Sequence, residues 1–177
     1  MIADDAVAQE RNGNLTAAAE LYEQSLAAEP TPLWAVVNLM CLYWKVTEFG
    51  FWTGKHLPTD FVGRAGVRLS QVMRVAEERF PDSTEVAFWC RYIRWTDLGG
   101  SLNIAVCEEF LRRNPEDLSP VLFLYTHSTG DKWEPQALRL VEECNQDRTT
   151  KANYVVSVIE ASHRRRHWPP RRAESSR

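Results

Sequence analysis

The sequence predicts an all-α protein: a right-handed stack of antiparallel helical hairpins, about four pairs, closed by a C-terminal capping helix. Three observations carry this. Apolar residues recur at spacings of three and four over most of the chain. Short breaks rich in glycine or asparagine join these runs into pairs, and turns that short connect only antiparallel neighbours. An apolar helix that ends at proline returns three times, at Pro30, Pro81 and Pro115.

Asp4 and Asp5 open a first run carrying Ile2, Ala3, Ala6 and Val7, which Asn12-Gly13-Asn14 breaks. Leu15, Ala18, Ala19, Tyr22 and Leu26 follow at helical spacing and stop at Pro30. One such hairpin cannot bury its own apolar face, so it needs a neighbour stacked upon it. The neighbours end at Arg79-Phe80-Pro81-Asp82 and Arg113-Asn114-Pro115-Glu116. Pro81 and Pro115 are 34 residues apart, and Pro30 and Pro81 are 51 apart, which is 34 plus 17. The surplus falls at 48–66, where Gly50, Gly54, Pro58, Gly63 and Gly66 predict an irregular insertion. Gly99-Gly100 reads as the next inter-helix turn. Segments 118–127 and 134–145 form another pair around Gly130-Asp131, and a last helix over 150–165 covers the open end.

Residues 2–30 resemble a tetratricopeptide repeat, whose helix-turn-helix unit has a 34-residue period. Ala6 takes the small position of the first helix, Gly13 the turn, and Ala18 the small position of the second helix. Tyr22, Ser25 and Pro30 follow in order. In the second unit Tyr43, Ala76 and Pro81 fit, while Met40 fills a usually small position. In the third, Pro115 and the spacing fit, and Asn103 stands where alanine is usual. The fourth offers Ala137. The resemblance covers about three quarters of the chain. It implies a TPR-like α-solenoid in which the first helix of each pair lines a concave, protein-binding groove.

With 44% hydrophobic and 25% charged residues over 177 positions, the chain falls in the globular class and has the length of one domain. It reads as a single helical domain over 1–165 with a basic, flexible tail over 166–177. The longest apolar stretch, 33–44, is interrupted by Asn38 and falls short of the roughly 20 residues a bilayer span needs. Met1-Ile2-Ala3-Asp4-Asp5 carries neither a basic region nor a cleavable apolar run, so a cytoplasmic protein without membrane contact is expected. Cys41, Cys90, Cys107 and Cys144 lie far apart in apolar helical patterns and read as buried small apolar residues. Net charge is −3, unevenly divided: 163–177 holds six arginines against Glu174, a balance of +5, which leaves −8 on the rest.

Enzyme chemistry finds no motif: there is no dinucleotide fingerprint, phosphate loop, nucleophile elbow or His-Glu-x-x-His. No catalytic residue, cofactor, metal or small-molecule substrate is expected. His163 and His167 are four apart on a helix, but three arginines separate them and no carboxylate or thiol is near in sequence. His56 and Asp60 could share a hydrogen bond, with no nucleophile to serve. The aromatic residues say more. Projected onto the second unit, the groove pattern places Trp34, Val37, Cys41, Trp44 and Lys45 on one stripe. Projected onto the third, it places Glu85, Phe88, Tyr92, Trp95 and Thr96 on another. Such stripes suit a partner-binding surface, since Trp and Tyr dominate interface hot spots, and they equally suit a core between helices. Phe51 and Trp52 belong to the insertion, which either touches a partner or packs on the stack.

These readings converge on a non-catalytic protein-binding module, in its sharpest form an immunity protein whose negative charge suits a basic toxin or effector domain. A chaperone or assembly adaptor is the alternative; it needs basic carboxylate clamps, and Lys45 is the single basic residue on the two stripes. A nucleic-acid-associated regulator working through the C-terminal arginines is another, opposed by the acidic body. If the stripes form an open groove, Trp44→Ala with Trp95→Ala weakens partner binding and leaves helicity intact.

Overall fold

The computed structural model describes residues 2–167, which form ten helices and no strand. In chain order these are α1 (Ile2–Arg11), α2 (Leu15–Ala27), α3 (Leu33–Thr47), α4 (Phe49–Gly54), α5 (Thr59–Arg79), α6 (Thr84–Asp97), α7 (Ile104–Arg113), α8 (Val121–His127), α9 (Glu134–Asp147) and α10 (Thr150–His167). No helix is long and apolar enough to cross a membrane, among the described residues. The part of the expected tail at 168–177 lies outside them.

The turn chemistry is local. Gly13 links α1 to α2 at φ +81°, a left-handed conformation that glycine adopts without steric penalty. Ser83 caps α6 by accepting a hydrogen bond from the Val86 N–H at 3.3 Å. Asn103 does the same for α7, its Oδ1 accepting from the Val106 N–H at 3.0 Å. That role accounts for asparagine at this position: a side chain that stops the chain from entering the helix too early, where the resemblance alone expects alanine.

Helices α1 and α2 pack together, as do α3 and α5, α6 and α7, and α8 and α9. Each pair meets the next through α2 on α3, α5 on α6, and α7 on α8. Side-chain contacts give the directions. Glu23 meets Arg68, and further along Leu26 and Thr31 meet Arg79, so α2 and α5 run the same way. Met40 meets Cys90 and Trp44 meets Asp97, so α3 and α6 also run the same way.

Two expectations change. The insertion at 48–66 is mostly helical: α4 covers six of its residues, and α5 continues through Gly63 and Gly66. A glycine inside a helix costs about 1 kcal/mol relative to alanine. The stripe of Phe61, Ala65, Leu69, Val72, Met73 and Ala76, buried under neighbouring helices, outweighs that cost.

The second change concerns the last helix. It does more than cover an open end: α10 packs most closely on α9 and α8, the last pair, lies along α3, and reaches α1 and α6 through side chains. The Thr150 N–H donates to Glu10 of α1 at 2.5 Å. Tyr154 meets the Trp44 ring of α3 edge-on at 4.8 Å and shares a 2.8 Å hydrogen bond with Tyr92 of α6. Lys151 pairs with Glu85 of α6 at 3.0 Å, and His163 reaches the Tyr125 hydroxyl of α8 at 3.1 Å. Ala152, Val155, Ile159 and Ser162 are its buried stripe. The position shelters apolar surface, since Tyr154 packs on the buried Trp44 and Tyr92 rings.

Candidate functional site

The ten residues predicted to hold a partner separate into three environments. Val37, Cys41, Trp44, Phe88 and Tyr92 are buried in the core and are not a surface. Trp95 is half-buried, wedged edge-on against Phe123 at 5.2 Å and His127 at 5.0 Å. Trp34 is 38% exposed. Phe51 and Trp52 are half-buried on α4, where Trp52 meets the outward-facing Phe49 edge-on at 5.6 Å. Lys45 is held rather than free: it pairs with Glu48, and its ammonium lies 4.6 Å from the Tyr154 ring centre and 5.3 Å from that of Trp44.

Among several open cavities, two flank the α9–α10 turn, one on each side. The first, of about 480 Å³, is walled by the end of α1, the end of α3, α4 and the first turns of α10. Arg11, Lys45, Lys55 and Arg148 line it, with Phe51, Asn153, Tyr154 and Ser157. Arg11 is engaged: its Nε donates to the Asp147 carbonyl at 2.6 Å, and a guanidinium nitrogen lies 3.6 Å from the Asp147 carboxylate. Among the described residues, Lys55 and Arg148 have no acidic partner, so two uncompensated cations face this space. Arg148 closes α9 with a left-handed φ of +58°.

The second cavity, of about 360 Å³, carries the opposite sign. Glu85, Glu116, Asp117, Glu143 and Asp147 line it with Lys151, and cations offset part of that charge: Lys151 pairs with Glu85, Arg11 with Asp147, and Arg139 with both Glu116 and Glu143. Burial, with the Glu85 charge adding to it, pushes the Asp117 carboxyl above its usual range, and its hydrogen bonds to Ser119 and Thr84 only partly offset the rise. Burial, the largest single influence, lowers the Lys151 ammonium, but the Glu85 charge and hydrogen bond together with Cys41 and Asp147 outweigh it and raise it. The Arg11–Asp147 pair stands between the two cavities.

Glu10, the one acid lining the cationic cavity, is 5% exposed. Tyr22 donates its hydroxyl to Oε2 at 2.8 Å, and Thr150 donates its N–H to Oε1. Burial nevertheless pushes this carboxyl above its usual range, against those bonds and with Asp147 adding to the rise. The sign follows from linkage. A folded-state value above the unfolded one favours the protonated form, so the contribution is full below the unfolded value and lost as pH rises through the folded one. Glu10→Gln, permanently neutral, is therefore expected to flatten the stability profile through the weakly acidic range. Urea midpoints at several pH values for both chains check this, and parallel profiles would count against a raised carboxyl.

The four cysteines are buried and unpaired, and burial pushes the thiols of Cys90 and Cys107 up to about 12 and that of Cys144 up to about 11. They are inert at neutral pH. Of the C-terminal arginines that are described, Arg166 is tied to the body, and Arg164 and Arg165 pair within α10. Arg166 donates to the carbonyls of Tyr125, Gly130 and Ser128, Arg164 pairs with Glu160, and Arg165 donates to Ser162. Arg171, Arg172 and Arg177 lie outside the described residues.

Sequence reasoning found Lys45, Phe51 and Glu85 and missed Arg11, Lys55, Arg148, Glu116, Asp117, Glu143 and Asp147. The one local sign was the charge alternation Asp147, Arg148, Lys151 beside a helix boundary. Their convergence joins segments more than a hundred residues apart. The chain matches no protein family, no curated protein and no solved structure at a significant level.

Proposed function

We propose that the chain is a non-catalytic protein-binding module, a TPR-like stack of helical hairpins whose groove is filled by its own last helix and whose partner docks on the α9–α10 corner. The observation that carries this is the pair of oppositely charged cavities flanking that corner. A partner presenting an acidic and a basic side chain at the matching separation is recognised in one orientation only. A small anion would use just one of the two. The acidic cavity suits a lysine or arginine from a basic toxin or effector, which keeps the immunity reading. The cationic cavity supplies the carboxylate-binding groups that an adaptor needs, and that the aromatic stripes lacked.

Reversing charge on each side separately tests the reading. Partner capture from the native host is expected to succeed with the wild type and to fall at least about tenfold in Lys55→Glu/Arg148→Glu and in Glu116→Lys/Glu143→Lys, with a clear decline as salt is raised. All four side chains sit at the surface, so folding should survive. Undiminished capture by both double variants would move the site elsewhere, to the Phe49–Trp52 pair or the outer helices.

A further inference from the structure

Away from that corner, the structure brings the carboxylate of Glu134, from the preceding helix, to two histidines of α10. His163 and His167 stand one turn apart on α10, their ring centres 4.3 Å apart. Glu134, at the start of α9, places the same oxygen, Oε1, 3.2 Å from His163 Nδ1 and 3.2 Å from His167 Nε2. One candidate ligand atom from each residue lies within 4.8 Å of the others.

We propose that Glu134, His163 and His167 bind a divalent transition-metal ion, zinc in the first instance, which fastens the end of α10 to the start of α9. Zinc takes imidazole nitrogen and carboxylate oxygen at roughly 2.0–2.2 Å, and in a tetrahedral shell such ligands stand about 3.3 Å from one another. The two Glu134 distances already match that edge, so both nitrogen–oxygen spacings need almost no adjustment on binding. Two imidazoles and one carboxylate form a borderline-soft set that selects transition metals over calcium or magnesium, which prefer all-oxygen shells.

Access and charge are compatible with this. The side chains are 20% exposed at Glu134, 38% at His163 and 49% at His167, so an ion enters from solvent and keeps a position for water. The three arginines between the histidines were the objection from sequence. Arg166 turns to the backbone carbonyls of the α8–α9 connection and stacks on Tyr125 at 4.4 Å, while Arg164 and Arg165 are engaged with Glu160 and Ser162. The Tyr125 hydroxyl, 3.1 Å from His163 Nδ1, is a further oxygen at the edge of the cluster.

The test titrates the chelator-treated full-length protein with Co2+, followed by visible absorption, and with Zn2+, followed by calorimetry. One ion per chain is expected, with tetrahedral cobalt bands that zinc abolishes and no response to Ca2+ or Mg2+. Loss of a direct ligand should weaken zinc more than about tenfold, the least that removing even a supporting partner of a ligand costs. His167→Ala, at a half-exposed position where folding is not at risk, and Glu134→Gln are the variants. Zinc at a hundredfold excess over its Kd should raise Tm by roughly 5–10 °C in the wild type and not in either variant. Zinc bound as tightly by both variants as by the wild type, or no zinc bound by the wild type at about 100 μM, would overturn the proposal. The latter outcome would leave a hydrogen-bonded cluster only. Neither result bears on the charged corner.

Discussion

Removal of α10, by ending the chain after Thr149, is expected to abolish the cooperative fold. Val155 and Ile159 are 2% and 1% exposed, and fully burying two such side chains contributes roughly 3–6 kcal/mol. Their removal also exposes the apolar faces of α3, α6 and α8, and it strips the partners from Tyr92, Glu85 and Glu10. Since a domain of this kind has about 5–15 kcal/mol in total, little is left. The truncated chain should keep helical far-ultraviolet dichroism, lose near-ultraviolet signal and unfold without a sharp urea transition. A truncated chain with an unchanged midpoint would mean that α10 merely rests on a groove that is complete without it, and the open-groove reading of the aromatic stripes would return.

Trp44→Ala is expected to have the largest effect of any single substitution. The indole is 1% exposed, lies edge-on to Tyr92 at 6.0 Å and to Tyr154 at 4.8 Å, and donates its N–H to the Asp97 carboxylate. Truncation leaves a cavity between α3, α6 and α10 and an Asp97 without its donor. Comparable tryptophan truncations cost about 3–5 kcal/mol. For a chain of this size that corresponds to about 6–20 °C in Tm, read directly by calorimetry. Read from sequence, this substitution together with Trp95→Ala weakens partner binding and leaves helicity intact; the burial of Trp44 makes a loss of stability the expected result instead. Trp95→Ala, at a half-buried position, should cost distinctly less, and equal losses at the two positions would contradict the assignment of Trp44 to the core.

Both predictions rest on the packing of α10, whose buried stripe lies on the core while its other face meets solvent. On the proposed reading, recognition falls to what surrounds the α9–α10 turn: Lys55 and Arg148 on one side, Glu116 and Glu143 on the other. Glu10 joins the two ends of the chain there, as a buried acceptor for the first amide of α10. Its substitution and the charge reversals report on different things, the first on stability against pH and the second on binding against salt.

That this chain is helical, and where most of its helices stop outside 48–66, was legible in the residues alone. Those properties are local: the three-and-four spacing of Leu15, Ala18, Ala19, Tyr22 and Leu26, the left-handed turn at Gly13, and the stops at Pro30, Pro81 and Pro115 act within a turn or two of themselves. Aromatic content singled out Trp44, Phe88 and Tyr92 for a partner-binding surface or a core. Their burial, with Tyr154 of α10 packed on Trp44 and Tyr92, is a tertiary property. An apolar stripe such as Ala152, Val155 and Ile159 covers an end or fills a groove equally well, and the choice depends on the shape of surfaces contributed by four separate hairpins. The same holds for the charged corner and for Glu134 beside His163 and His167. Charge and coordination act through space over a few ångströms, and a one-dimensional pattern carries no distance between residues 11 and 148 or between 134 and 163.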